Sequence, residues 1–146
     1  MSYWDTSTLV KLYAQEMDSP AFEAYTLNSS SGLVTSRITI YEALATFRRK
    51  EAEGTLQPGT APTLYSELLH DVAAGEVRII ELGADLENEY GQVLRLCYQQ
   101  MPLIPLRTLD ALHLASARAA GETEVVATDK RMRAAAKMLG FSLFPA

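Results

Sequence analysis

Apolar positions along the 146-residue chain fall into short runs that alternate with stretches of helical spacing. Tyr3-Trp4 is an apolar pair stopped by Asp5, after which Leu9, Val10, Leu12 and Tyr13 recur at helical intervals. The pattern predicts strand, acid, helix. Ser19-Pro20 reads as a cap followed by proline in the first turn, with Phe22 and Tyr25 on one face of a short helix. Residues 29–32 form a Ser/Gly loop, and 33–36 a short buried strand. Residues 39–53 predict a helix with Ile40, Leu44 and Phe47 inward, stopped at Gly54. After a break at 57–62, Leu64, Leu68, Leu69 and Val72 mark a helix ended by Gly75, and 77–82 a strand. Leu86, Tyr90, Val93, Leu94 and Cys97 lie on one helical face. Pro102 and Pro105 exclude regular helix over 101–105. Residues 108–120 predict a helix, 125–127 a strand, Asp129 opens a last helix that stops at Gly140, and 141–144 close as a strand. Strands alternating with helices imply an α/β fold, a parallel sheet with helices on both faces.

Length and composition suit a single domain over 1–146 with its own core. The single cysteine, Cys97, excludes an internal disulfide and a four-cysteine metal site, and its apolar neighbours make it a small core residue. No basic leader precedes an apolar stretch and no run approaches a membrane span, so a cytoplasmic location is the default expectation. The formal net charge of −5 argues against a nucleic-acid binder that works through a basic face. It does not exclude a protein whose acids are gathered to hold cations, because a bound metal reverses the local sign. Two basic runs stand out, Arg48-Arg49-Lys50 and Lys130, Arg131, Arg133 and Lys137, and either reads equally as a solvated face.

The acids that change the picture are Asp5, Glu42, Asp110 and Asp129. Each follows a strand or opens a helix, and parallel strands bring such positions to one edge of a sheet. Four carboxylates gathered there would repel one another, and a divalent cation relieves that repulsion. The chemistry implied is metal-assisted phosphodiester hydrolysis. Helix capping is an explanation of the same residues: acids at helix N-termini are favoured by the dipole, and Thr39-x-x-Glu42 has the form of a capping box.

Asp5-Thr6-Ser7-Thr8-Leu9-Val10-Lys11-Leu12-Tyr13, the stretch from Ser36 through Glu42, Arg107-Thr108-Leu109-Asp110-Ala111-Leu112-His113-Leu114-Ala115 and Thr128-Asp129-Lys130-Arg131-Met132 together resemble PIN-domain ribonucleases, most closely the toxins of VapBC toxin–antitoxin pairs. The resemblance covers nearly the whole chain in order, and the Asp110 segment is its most specific part. It implies an α/β/α sandwich around a parallel sheet. It also implies an acidic quartet, matched by Asp5, Glu42, Asp110 and Asp129, that binds Mg2+ or Mn2+ and cuts RNA. Ser7 matches a hydroxyl residue beside that quartet, and Thr128 is a further candidate to support it. The resemblance further implies a homodimer held inactive by a small antitoxin, often through a basic residue entering the acidic pocket.

One position departs from the family pattern. Ala127 stands where a hydroxyl residue is common, and Thr128 adjoins Asp129 instead; in a regular strand Thr128 would face the opposite side, leaving a hydroxyl missing near the metal. His113, one turn after Asp110, can approach the site as a general base or as a packing or supporting residue. Lys11, Lys130 and Arg131 are candidates for RNA phosphate contacts. The competing expectation is a non-catalytic PIN-like module that binds RNA or protein. A phosphatase with an aspartyl nucleophile fits poorly, because Ser7 occupies the place its second acid would take.

Overall fold

Strand β1 (Tyr3–Trp4) is the middle of a five-stranded parallel sheet in a computed structural model that describes residues 1–29 and 32–146. Ser30 and Ser31, within the expected 29–32 loop, lie outside the described residues. β2 (Leu33–Ser36) and then β3 (Val77–Ile80) flank β1 on one side; β4 (Glu124–Val126) and then β5 (Ser142–Phe144) flank it on the other. Tyr3 aligns with Val34 on one neighbour and Val125 on the other, and Trp4 with Val126.

Seven α-helices join the described strands: α1 (Thr6–Leu9), α2 (Ser19–Leu27), α3 (Arg37–Ala52), α4 (Thr60–Ala73), α5 (Ala84–Tyr98), α6 (Thr108–Ala119) and α7 (Lys130–Met138). They cover both faces of the sheet, giving the α/β/α architecture expected from the alternation. Successive residues of a strand point to opposite faces, so β1 feeds two cores. Tyr3 joins Val34, Val125 and Ala127 under α5, α6 and α7, with Cys97, Leu114 and Met132. Trp4 joins Val126 and Val77 under α1 to α4, with Leu9, Phe22, Phe47 and Leu68. Trp4 is buried against Phe22 and Tyr25, and its indole N–H donates to Ser2 Oγ at 3.1 Å. Truncating a buried aromatic of this kind to alanine costs about 3–5 kcal/mol.

The element order matches the sequence reading, and the differences have local causes. The first helix is interrupted: Val10–Leu12 form a 3-10 turn. α3 starts earlier than residue 39, because Ser36 Oγ accepts from Ile38 N–H and caps it. Thr39 is therefore inside the helix, not its cap. α4 includes Pro62 in its first turn, where a missing N–H costs nothing. Leu69, one of the apolar positions that mark this helix, is exposed. α6 stops at Gly121, whose φ of +71° is easily adopted only without a side chain. Among the described residues no helix is long and apolar enough to cross a membrane.

Candidate active site

The strand order puts the chain reversal at β1, and the crevice at the carboxyl ends of β1 and β4 is where such sheets bind ligands. A pocket of about 380 Å3 opens there, lined by Asp5, Thr6, Ser7, Glu42, Arg107, Asp110, His113, Thr128, Asp129 and Met132. All four acids singled out in the sequence line it, from four elements far apart in the chain.

Asp5 follows β1 directly and caps α1. Its Oδ1 accepts from Thr8 N–H at 2.9 Å and from Thr8 Oγ1 at 2.6 Å, and Ser7 Oγ donates at 3.2 Å. The loop is tied to β4 as well, since Asp5 N–H and Thr8 Oγ1 both donate to Val126 C=O, at 3.2 and 2.9 Å. Burial pushes the Asp5 carboxyl above its ordinary range, against the Thr8 hydrogen bonds, which pull it down. Asp129 caps α7 through Oδ1, which accepts from Met132 N–H at 2.9 Å. Asp110 lies in the first turn of α6, with Oδ2 3.5 Å from Arg107 Nε. Capping and the shared pocket thus coexist for Asp5 and Asp129.

Glu42 is different. Its Oε1 accepts from Thr6 Oγ1 at 2.7 Å and pairs with His113 Nε2 at 2.8 Å, and among the described residues it makes no capping bond. The capping-box reading of Thr39 and Glu42 is therefore corrected. Thr39 is fully buried and bonds to Thr35 Oγ1 at 2.7 Å. Burial raises the Glu42 carboxyl, but the His113 and Thr6 bonds outweigh it and leave Glu42 below its ordinary range.

His113 is buried and engaged at both nitrogens, supporting Glu42 from behind. Ser7 touches Asp5, as its position suggested. Thr128 reaches the pocket, contrary to the regular-strand expectation, because β4 ends at Val126. Ala127 is fully buried in the core under α5 to α7, outside the pocket lining. Lys130 and Arg131 are exposed at the start of α7 beside Asp129. Lys11 does not suit a phosphate contact: it is buried, with Nζ 2.9 Å from Asp18 and 3.3 Å from Glu16. The sequence reading gave no role to Thr6, Arg107 or Tyr3. Tyr3 carried a usable signal, since a hydroxyl on a buried central strand must find a partner.

The donor set suits a hard divalent cation: it is all oxygen, and among the described residues no hydrogen bond reaches Glu42 Oε2, Asp129 Oδ2 or Asp110 Oδ1. Among the described residues, no three acidic, histidine or cysteine side chains already stand close enough together to hold a metal.

Residues 2–138 match the family model of the PIN domain, and the chain belongs to that family. Comparison with curated proteins finds no match. Among solved structures, a chain of the VapBC2 complex from Rickettsia felis, bound to a DNA fragment from their promoter, superposes with a TM-score of 0.65 at 19% identity over 98% of this chain and 97% of that one. VapC20 of Mycobacterium tuberculosis, a Sarcin-Ricin loop cleaving toxin, gives 0.66 at 18% identity over 92% and 95%. FitAcB from Neisseria gonorrhoeae gives 0.63 at 18% identity over 99% and 96%. The neighbours share the fold.

Proposed function

We propose that the protein is a metal-dependent endoribonuclease and the toxin of a toxin–antitoxin pair. The observation that carries this reading is the meeting of Asp5, Glu42, Asp110 and Asp129 in one pocket of a PIN-family chain. These four would hold Mg2+ or Mn2+, with no donor among the described residues reaching Glu42 Oε2 or Asp129 Oδ2. When bound, the cation supplies a Lewis acid and an activated water for hydrolysis of a phosphodiester bond. Thr8 and Ser7 orient Asp5, and Thr6 and His113 orient Glu42. Lys130 and Arg131, beside the pocket, would contact backbone phosphates. A second groove shares Thr6, Ser7 and Glu42 with the pocket and is lined along α3 by Arg49 and Lys50, together with Lys11 and Glu16.

The toxin assignment rests on the VapBC and Fit complexes among the structural neighbours. It predicts a homodimer and a small antitoxin partner whose basic residue would fit the acidic pocket. The non-catalytic reading draws on one observation, that the carboxylates are not yet gathered at metal-binding distance. Purified protein incubated with structured RNA, in Mg2+ or Mn2+ and in excess chelator, decides between them. Metal-dependent internal cleavage supports the nuclease; binding without cleavage supports the module.

A further inference from the structure

Tyr3 is fully buried on the central strand, yet its hydroxyl is not idle. It lies 2.6 Å from His113 Nδ1, and the two rings meet edge-on with centroids 5.9 Å apart. On the other side of the imidazole, Nε2 is 2.8 Å from Glu42 Oε1. One histidine from α6 thus links β1 to α3, and only Glu42 of the three faces the pocket with appreciable exposure, its side chain being 28% accessible against 4% for His113.

The chemistry of the partners limits what each ring nitrogen can do. An ionised carboxylate only accepts, so Nε2 must carry the hydrogen toward Glu42. With a neutral ring, which has one donor and one acceptor nitrogen, Nδ1 then accepts and the Tyr3 hydroxyl donates. Thr6 Oγ1 donates to the same carboxylate oxygen at 2.7 Å. Two donors converge on Oε1, and among the described residues none reaches Oε2. One oxygen of Glu42 is anchored, and the other is left to the pocket shared with Asp5, Asp110 and Asp129.

We infer that Tyr3 and His113 form a buried positioning relay: the Tyr3 hydroxyl locks His113 in the Nε2–H form, which anchors Glu42 Oε1 and turns Oε2 to the cation-binding pocket. The relay's effect on the cation rests on the metal-nuclease reading; the protonation form of His113 does not. Without the Tyr3 hydroxyl, a proton can settle on Nδ1, leaving Nε2 to present a lone pair to the carboxylate and release it. Supporting partners of a metal ligand matter in this way because they hold it in its binding orientation.

Tyr3→Phe tests this, since it keeps the buried ring and removes only the donor. Two readouts are compared with wild type: the ring-nitrogen NMR shifts of His113 in metal-free protein, and Mn2+ affinity by calorimetric titration. The relay predicts an Nε2–H, Nδ1-acceptor ring in wild type and its loss in Tyr3→Phe, with Mn2+ binding weakened about tenfold. His113→Gln, whose amide carries one donor and one acceptor, should keep more Mn2+ affinity than His113→Leu. A wild-type ring protonated at Nδ1 overturns the relay, and so does unchanged Mn2+ affinity in Tyr3→Phe. If wild type binds no Mn2+, the pocket reading fails separately, and the ring form in wild type against Tyr3→Phe still decides the relay.

Discussion

Asp5 Oδ1 stands 2.6 Å from Thr8 Oγ1, so a carboxylate that lines the pocket is also the cap of the first helix. Asparagine caps nearly as well as aspartate, which separates the two roles. Burial raises the Asp5 carboxyl, so the folded state favours its protonated form. The stability linked to Asp5 is then full at low pH and is lost as pH rises through its elevated folded value, above the ordinary 3.8. At neutral pH without metal, the ionised Asp5 is a cost. Asp5→Asn should raise the metal-free melting temperature by about 3 °C, equivalent to roughly 1 kcal/mol, while abolishing cleavage. Melting curves in chelator beside a cleavage assay check both.

Glu42 should behave in the opposite sense. Its folded value is lowered by His113 and Thr6 over the effect of burial, so its stabilisation is present above the ordinary value of 4.5 and is lost as pH falls through the depressed one. Repulsion among the acids alone predicts that Glu42→Gln leaves the metal-free melting temperature unchanged or raises it. The two donors on Oε1 reverse that expectation. Glu42→Gln should lose about 1 kcal/mol of metal-free stability, the difference between charged and neutral hydrogen bonds, together with most cleavage activity. A variant that melts above wild type in chelator would contradict this.

Ala127→Thr looks from the family pattern like a way to restore a missing hydroxyl and gain activity. Its side chain instead lies in the core, at 0% exposure. The added hydroxyl and methyl would have to be fitted into that buried core, costing about 1–3 kcal/mol. Denaturant unfolding should show that loss, with no gain in Mn2+ affinity. Thr128 already supplies a hydroxyl at the pocket wall.

The basic residues divide between two roles. Lys130→Ala and Arg131→Ala should weaken RNA binding with little effect on stability, each reducing the salt dependence of binding by about 0.7 in log–log slope if it meets one phosphate on a single strand. Lys11→Ala should leave that slope alone and destabilise the fold, because Lys11 holds Asp18 and Glu16 and lies over Phe22 at 5.6 Å. RNA binding across a salt series, beside thermal melting, separates them.

Much of this was legible in the sequence because the site is built from strand ends. Asp5 and Asp129 each follow a run of apolar residues, and a parallel sheet carries such positions to one edge. Asp110 was visible through its helical segment. Glu42 was placed near the site, but its local partner was misread: Thr39 x-x-Glu42 has the spacing of a cap, and only the tertiary meeting of α3, α1 and α6 shows Thr6 and His113 taking the carboxylate. The pairing of Tyr3 with His113 spans 110 positions and leaves no local pattern. The burial of Lys11 was hidden for the same reason, since its partners Glu16 and Asp18 lie beyond the turn that folds back on it.

Equilibrium binding of Mn2+ to the purified protein tests the central claim most directly, comparing wild type with Asp5→Asn and Asp110→Asn. If the four carboxylates form a cation site, wild type binds saturably and each variant binds at least about tenfold more weakly, since each removes one charged oxygen ligand. Binding of equal strength in wild type and both variants, or no binding in wild type, would contradict the account.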